Sequence, residues 1–159
     1  MSTVRDYSDF LTVGFTDPMP YEWSVGKYGS AFFNEIRERK RFLGIKCPGC
    51  GLVYVPPRRV CGPCFRELTE LVPLSDTGTI TAFSVVNYPF IDPATGVQRP
   101  IPYTYGYIRM DGADNIFSHI INETDLDKIK VGMKVKAVFK PDGEMRGDIN
   151  DILHFDIVK

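Results

Sequence analysis

The chain has 159 residues, of which 25% are charged, and its formal net charge is -1. No run of apolar residues is long enough to span a bilayer, and the N-terminus lacks the apolar segment of a signal peptide. The composition therefore excludes a membrane-spanning chain and predicts a soluble, cytoplasmic protein. The length allows two small domains.

Residues 1–27 are predicted to form an extended arm, because Pro18 and Pro20 interrupt regular structure. The arm carries five large aromatic residues: Tyr7, Phe10, Phe15, Tyr21 and Trp23. A free arm would leave these rings in water, so the arm is expected to pack either on its own body or on another chain. The sequence does not decide between the two.

A helix is predicted over residues 30–43, with Ser30 as its cap and an apolar stripe of Phe32, Ile36 and Leu43 at helical spacing. Four basic residues cluster near its C-terminal end, namely Arg37, Arg39, Lys40 and Arg41. Cations at that end suit the helix dipole. The cluster is interpreted as a solvated face, with a phosphate contact as the alternative.

Two Cys-x-x-Cys pairs, Cys47 with Cys50 and Cys61 with Cys64, contain all the cysteines of the chain. Each pair can direct two thiolates at one ion, and two pairs complete a tetrahedral shell of four sulfurs. Such a shell has no open position for a reacting water, so the pattern predicts one structural zinc ion. Disulfides and a redox-active pair are less consistent with the sequence, while iron remains an alternative. A short strand, residues 52–55, is expected between the pairs, with each pair at a turn.

From Leu74 onward the pattern is that of an all-β domain. Strands are predicted over residues 79–86, 103–110, 115–121, 133–139 and 149–158, with a short helix or turn at 124–129. Five strands with a short helix between the third and fourth are typical of an OB-fold barrel, and the long loop Pro89–Pro102 is where such barrels commonly bind. The predicted divisions are arm and helix at 1–46, zinc ribbon at 47–73 and OB-fold domain at 74–159.

The chain shows no recognisable catalytic residues. Its two histidines, His119 and His154, fall within predicted strands and lack a nucleophile–base pattern, so each is interpreted as a satisfied strand histidine. There is no phosphate loop or dinucleotide fingerprint. The predicted fold class is therefore mostly β, a rubredoxin-like zinc ribbon with an N-terminal arm and helix, followed by a five-stranded OB-fold barrel.

A zinc ribbon beside an OB-fold barrel also suggests single-stranded nucleic-acid binding. Residues 74–159 contain 9 Lys and Arg against 12 Asp and Glu, a net charge of -3. Because counterion release requires a positive surface, this balance disfavours nucleic acid as a partner. Nucleic-acid binding is kept as the alternative function.

One known family combines these features. The residues that carry the resemblance are Phe32-Phe33, Arg41-Phe42-Leu43, the two cysteine pairs with Pro56-Pro57-Arg58 between them, Gly78-Thr79-Ile80 and Val131-Gly132-Met133. The chain resembles the zinc-ribbon/OB-fold proteins that accompany thiolase-like enzymes of acyl-CoA metabolism in bacteria and archaea. The resemblance covers about residues 30–140, with both halves in order.

The resemblance implies a non-catalytic accessory subunit in a hetero-oligomer with a thiolase-fold catalytic subunit, which would supply the nucleophilic cysteine and the histidines. The small subunit would stabilise its partner and help to shape acyl-CoA binding, with an aromatic acyl-CoA such as benzoylsuccinyl-CoA as substrate. Arg58 and Arg59 are the candidates for contact with a CoA phosphate or a partner carboxylate. Tyr103 and Tyr105 are the candidates for lining the acyl channel.

Overall fold

The computed structural model describes residues 24–89, 91 and 96–158. Most of the predicted N-terminal arm therefore lies outside the described residues. The arm prediction was wrong at its last two positions, because Gly26 and Lys27 already belong to a helix. That helix, the only α-helix of the described part, is too short and too polar to cross a membrane.

Helix α1 spans Gly26–Arg39, so the predicted range of 30–43 was displaced by four residues at each end. Ser30 lies inside the helix and does not cap it. The helix ends where Lys40 adopts a left-handed backbone, with φ of 50°, and donates its N–H to the Ile36 carbonyl at 2.9 Å. Leu43 has helical spacing from Ile36 but lies in a strand, because the chain reverses at Lys40.

The ribbon is built on a three-stranded antiparallel sheet of β1 (Phe42–Lys46), β2 (Val53–Tyr54) and β3 (Glu70–Leu74), in the order β2-β1-β3. The register of β1 and β3 runs from Phe42 opposite Leu74 to Lys46 opposite Glu70. Neither β1 nor β3 was predicted, because the first two residues of β1 were assigned to the helix and nearly all of β3 to a connecting segment. Both cysteine pairs lie at turns, as predicted.

A closed five-stranded barrel follows, made of β4 (Thr77–Val86), β5 (Tyr103–Met110), β6 (Phe117–Ile121), β7 (Lys134–Phe139) and β8 (Ile152–Ile157). The strand order β4-β5-β6-β8-β7 closes through β7 pairing with β4, which confirms the predicted OB-fold. Residues 126–128 form a turn rather than a helix. The final strand begins at Ile152, since Ile149–Asp151 is a short 3₁₀ helix.

Two hydrophobic cores stabilise the described chain, and strand β1 contributes to both. The larger core fills the barrel and includes a cluster of phenylalanines in which the Phe42 ring lies 5.4 Å from Phe117 and 6.0 Å from Phe155. Helix α1 packs on this cluster through Phe32 and Ile36. The smaller core lies in the ribbon and consists of Ile45, Cys47, Tyr54, Cys61 and Leu68.

The basic residues at the end of α1 have acidic partners. Arg39 contacts the buried Glu35 carboxylate at 2.7 Å, and Arg41 contacts its other oxygen. Elsewhere, Lys40 pairs with Asp142 at 2.6 Å. Burial raises the pKa of Glu35, but the hydrogen bonds from Arg41 and Arg39 outweigh it and hold that pKa below its usual value. Arg37 lies 3.5 Å from Glu38, so each basic residue of this cluster has an ion-pair partner.

Candidate functional site

The four cysteines converge at the two turns of the ribbon. Their sulfur atoms all lie within 4.8 Å of one another. Cys47 Sγ is 3.4 Å from Cys64 Sγ, and Cys50 Sγ is 3.5 Å from Cys61 Sγ. A zinc–sulfur distance of about 2.3 Å in a tetrahedron corresponds to sulfur–sulfur edges of about 3.8 Å. The observed separations fit one tetrahedral ion.

Backbone amides surround the sulfurs. The amides of Cys50 and Gly49 lower the pKa of Cys47 to about 6. The amide of Leu52 favours the thiolate of Cys50, but burial and the neighbouring thiols outweigh it and raise the pKa of Cys50 to about 12. Four thiols this close cannot all ionise unless a cation balances them, and zinc supplies that charge. The residues thus fit a structural zinc that joins the two turns and leaves no coordination position open.

A tyrosine from β2 touches the metal site. The Tyr54 hydroxyl donates a hydrogen bond to Cys61 Sγ at 3.2 Å, and its ring is buried in the ribbon core. The Arg58 guanidinium lies over the same ring, 3.6 Å from its centre. Arg59 instead pairs with Glu67 at 3.3 Å on the exposed surface. The two predicted contact arginines therefore have different surroundings.

A second candidate site is an open pocket on the barrel, with a volume of about 490 Å³, which we call the barrel cup. Its walls come from β5, β6, β8 and the two loops that flank them. The lining residues are Arg99, Tyr103, Tyr105, Ser118, His119, Ile120, Lys140, Ile149, Asn150, Ile152 and Leu153. OB-folds commonly bind ligands on the second and third barrel strands and the loops beside them, which is where this cup lies.

Tyr103 and Tyr105, the predicted channel residues, both line the barrel cup. They project outward from β5, since the intervening Thr104 is buried inside the barrel. The Tyr105 hydroxyl donates to Ser118 Oγ at 3.4 Å, and the Arg99 guanidinium lies 5.4 Å from the Tyr103 ring centre. The described lining contains two cations and no carboxylate, so the cup favours an anion with a planar or apolar body.

A buried carboxylate shapes one wall of the cup. Asp151 is fully buried and accepts hydrogen bonds from the amides of Arg146, Gly147 and Asp148, the shortest at 2.6 Å from Gly147. Gly147 has φ of 82°, a conformation that suits glycine, which lets the loop turn around this carboxylate. Lys140 Nζ lies 3.7 Å from Asp151, beyond normal hydrogen-bond distance, and so retains most of its capacity to donate.

Sequence reasoning missed this wall. The available signal was the pair Asp148 and Asp151, which forms a capping box at the start of the short 3₁₀ helix. That signal predicts a local turn only. The approach of Lys140 and Asn150 to the two tyrosines depends on barrel closure.

The two histidines differ from each other. The His119 ring stacks against Phe117 and meets Phe155 edge to face, with ring centres 6.1 and 6.0 Å away respectively. Burial lowers the pKa of His119, and its Nδ1 atom is buried without a hydrogen-bond partner among the described residues. The prediction of a satisfied histidine was therefore wrong at this nitrogen. His154 Nε2 lies 3.4 Å from the Asp156 carboxylate near the surface.

The fold and the four-cysteine site define a zinc-ribbon/OB-fold protein. Two family models match the chain in order: the ChsH2 rubredoxin-like zinc ribbon domain over residues 35–70 and the ChsH2 C-terminal OB-fold domain over residues 71–140. Among curated proteins, a DUF35 domain-containing scaffold protein of Methanocaldococcus jannaschii is 32% identical over 116 residues, covering 70% of this chain and 79% of that protein. The chain belongs to the DUF35 family of ChsH2-type proteins.

Other relatives agree with this assignment. A DUF35 domain-containing scaffold protein of Methanothermobacter thermautotrophicus is 31% identical over 109 residues, covering 68% of this chain and 78% of that protein. The solved structure of an Ltp2-ChsH2(DUF35) aldolase superposes with a TM-score of 0.58 at 20% identity, covering 85% of this chain and 98% of that one. A DUF35 protein of unknown function from Sulfolobus solfataricus gives a TM-score of 0.57 at 20% identity over 83% of this chain and 84% of that one. These structures share the fold.

Proposed function

We propose that this chain is the non-catalytic small subunit of a thiolase-like acyl-CoA complex. In this role it stabilises a thiolase-fold catalytic subunit and helps to form the acyl-CoA site. Membership of a family in which two curated relatives of this chain are named scaffold proteins carries the proposal. The solved aldolase with a ChsH2 (DUF35) component supports a heteromeric assembly. The four thiol ligands require a reducing compartment, which supports a cytoplasmic location.

The barrel cup is proposed as the part of the chain that contacts acyl-CoA. Coenzyme A is an anion with a planar adenine, and the cup combines two tyrosines with the cations Arg99 and Lys140. The bound molecule would lie on Tyr103 and Tyr105, in keeping with their predicted role. Arg58 and Arg59 are both exposed on the ribbon and are proposed to meet a CoA phosphate or a carboxylate of the partner.

Exposed apolar side chains supply a surface for the partner. Phe65, directly after the last cysteine, is 81% exposed, and Tyr88, Ile91 and Val97 project from the loop between β4 and β5. Large exposed apolar residues in a monomer mark interaction sites when they lie together. We propose that the partner covers the loop residues Tyr88, Ile91 and Val97. An aromatic acyl-CoA such as benzoylsuccinyl-CoA is the proposed substrate, because Tyr103 and Tyr105 line the cup.

Co-expression with a thiolase-fold protein from the same source tests the assembly. The two chains are expected to co-purify as a hetero-oligomer that cleaves an aromatic acyl-CoA, while the catalytic chain alone has lower activity or stability. Separate elution of the two chains, together with equal cleavage without this chain, would overturn the proposal.

The role of the cup is tested within that complex by Tyr105→Ala. The expected result is a several-fold higher KM for acyl-CoA with little change in kcat, because a binding contact is lost without loss of a reacting group. Tyr107→Ala is the matched control, since Tyr107 is an exposed tyrosine on the same strand that does not line the cup. Equal effects of the two substitutions would argue against the cup.

Single-stranded nucleic acid is the second candidate, favoured by the combination of tyrosines and cations on an OB-fold face. It predicts that the isolated chain binds oligonucleotides with an affinity that falls steeply as salt is added. The accessory-subunit proposal predicts no saturable oligonucleotide binding at moderate salt. Fluorescence anisotropy with a labelled oligonucleotide separates the two.

A further inference from the structure

In each cysteine turn of the ribbon, an arginine side chain lies close to the glycine of the turn. A Cβ atom placed on Gly49 would lie 2.6 Å from Cδ and 2.9 Å from Nε of Arg66. A Cβ atom on Gly62 would lie 3.6 Å from Arg58 Nη2. Gly49 thus leaves space that the Arg66 side chain occupies, whereas the Arg58 guanidinium lies beside Gly62 at a distance that a Cβ atom would also allow. A guanidinium group therefore lies close to each cysteine turn, although the two arginines come from different points of the chain.

These two arginines differ from their neighbour Arg59 in their partners. Among the described residues, neither Arg58 nor Arg66 has a carboxylate at ion-pair distance, whereas Arg59 pairs with Glu67. Arg58 lies over the Tyr54 ring, and Tyr54 in turn donates its hydroxyl hydrogen to Cys61 Sγ. A continuous set of contacts therefore runs from Arg58 through Tyr54 to the metal site.

The net charge of the four-cysteine metal site explains how these contacts would stabilise it. Four thiolates around one divalent ion carry a net charge of about -2, which hydrogen-bond donors and nearby cations stabilise. Two guanidinium groups supply the opposite charge. We propose that Tyr54, Arg58 and Arg66 form an outer shell of the metal centre, in which Tyr54 donates to the Cys61 thiolate and the two arginines offset the charge of the metal–thiolate cluster.

The shell has two parts of different strength. The Tyr54 hydroxyl is buried and hydrogen-bonded directly to the ligand atom Cys61 Sγ, so its removal leaves the thiolate without that bond and without water to replace it. Both arginines are exposed, and water and salt screen their charge. Tyr54 is therefore the stronger contributor, and only the arginine effect depends on ionic strength.

Zinc transfer from the full-length, zinc-loaded chain to a chromogenic chelator tests the shell. Tyr54→Phe is expected to accelerate zinc release by about tenfold at any salt concentration. Arg58→Gln and Arg66→Gln are each expected to accelerate it by about two- to fivefold at low salt and less at high salt. Arg66→Lys retains the charge and should release zinc nearly as slowly as the wild type.

Arg59→Gln is the matched control, because it removes an adjacent arginine that does not contact a cysteine turn. The cobalt-loaded proteins provide a second readout, since their sulfur-to-cobalt charge-transfer bands report the four-thiolate site independently of release. Bands of wild-type intensity establish that each variant still folds around the ion. Wild-type release rates for Tyr54→Phe and both Gln variants would overturn the proposal, as would equal acceleration by Arg59→Gln. Complex formation with the partner subunit is a separate measurement and does not enter this test.

Discussion

The ribbon and the barrel achieve stability by different means, as their cores show. The ribbon core contains five buried residues, and two of these are metal-binding cysteines. The core shared by α1, β1 and the barrel contains seventeen buried residues, including the rings of Phe32, Phe42, Phe117 and Phe155. A core of five residues is too small to offset the conformational entropy of its loops, whereas the larger core can do so. The metal replaces apolar burial in the ribbon.

Strand β1 connects the two regions. Phe42 and Leu43 belong to the barrel core, and Ile45 and Cys47, two and four residues further along the chain, belong to the ribbon core. The pairing of β1 with β3 extends this connection to Leu74, the last residue of β3, three residues before the barrel begins at Thr77. If the ribbon unfolds, the start of β1 is still held by the barrel core. If the barrel unfolds, β1 loses that core, and we expect the ribbon to unfold with it. Substitutions in the barrel should therefore affect both regions, whereas substitutions in the ribbon should affect the ribbon alone.

Cys61→Ser is expected to have the largest effect. The zinc contribution to a small metal domain is about 10 kcal/mol or more, and a serine hydroxyl does not replace a thiolate ligand. Zinc content should fall from one ion per chain to nearly none, and the amide signals of the ribbon should collapse while those of the barrel remain dispersed. Metal analysis and an NMR amide spectrum measure both. A metal-free variant with a folded ribbon would contradict the comparison.

Phe155→Ala removes the centre of the barrel cluster. Phe155 is fully buried against Phe42 and Phe117, so the free energy of unfolding should fall by about 3–5 kcal/mol. Urea denaturation measures the loss, and Leu153→Ala on the same strand is an exposed control with a much smaller effect. Because the barrel supports β1, zinc should be released in the same transition. Retention of zinc after barrel unfolding would show that the ribbon folds independently.

Asp151→Asn tests the wall of the barrel cup. Burial raises the pKa of Asp151, but the amides of Arg146, Gly147 and Asp148 outweigh it and hold that pKa below its ordinary value. A depressed pKa in the folded state contributes stability above about pH 4, which is lost as the pH falls through the folded-state pKa. The variant should be about 1–3 kcal/mol less stable than the wild type at neutral pH, with the gap closing in acid. Urea denaturation over a pH series measures this, and a gap that persists in acid would contradict the assignment.

Arg59→Gln is expected to have the smallest effect. Arg59 and Glu67 form an ion pair in which both side chains are mostly exposed, and such pairs contribute little because water and salt screen them. Thermal unfolding and zinc content should both match the wild type. A marked loss of either would show that the ribbon surface contributes more to stability than its small core.

Local pattern was sufficient for several parts of this protein. The spacing of Cys47, Cys50, Cys61 and Cys64 determined the metal site, since two residues between ligands bring both sulfurs to one ion. Runs of β-branched residues, turn signals and the alternation over residues 133–139 identified the five barrel strands. The period of two along a strand also places Tyr103 and Tyr105 on one face of β5. Four of the five predicted strands have ends that differ from the observed ones by one to three residues, and a 3₁₀ helix replaces a strand end only at Ile149–Asp151.

Other parts of the fold could not be predicted from the local sequence pattern. The helix was displaced because Leu43 continues the helical spacing of Ile36 while belonging to a strand, and only its pairing with β3 distinguishes the two. Strand β3 itself has one buried residue, Leu74, so no alternation marked it. The absence of a partner for His119 Nδ1 among the described residues accompanies the packing of its ring against Phe117 on its own strand and Phe155 on the neighbouring strand β8, a contact that no local pattern specifies.

By itself, the sequence determined the ligands, the fold class and the family, because each depends on residue type at fixed short spacing. Only the tertiary structure decided which side chains surround those ligands and which line the cup. Arg66 contacts Gly49, and Lys140 lines the same cup as Tyr105, through folding that joins residues far apart in the chain. These contacts depend on sheet register and barrel closure, which no single segment of sequence specifies.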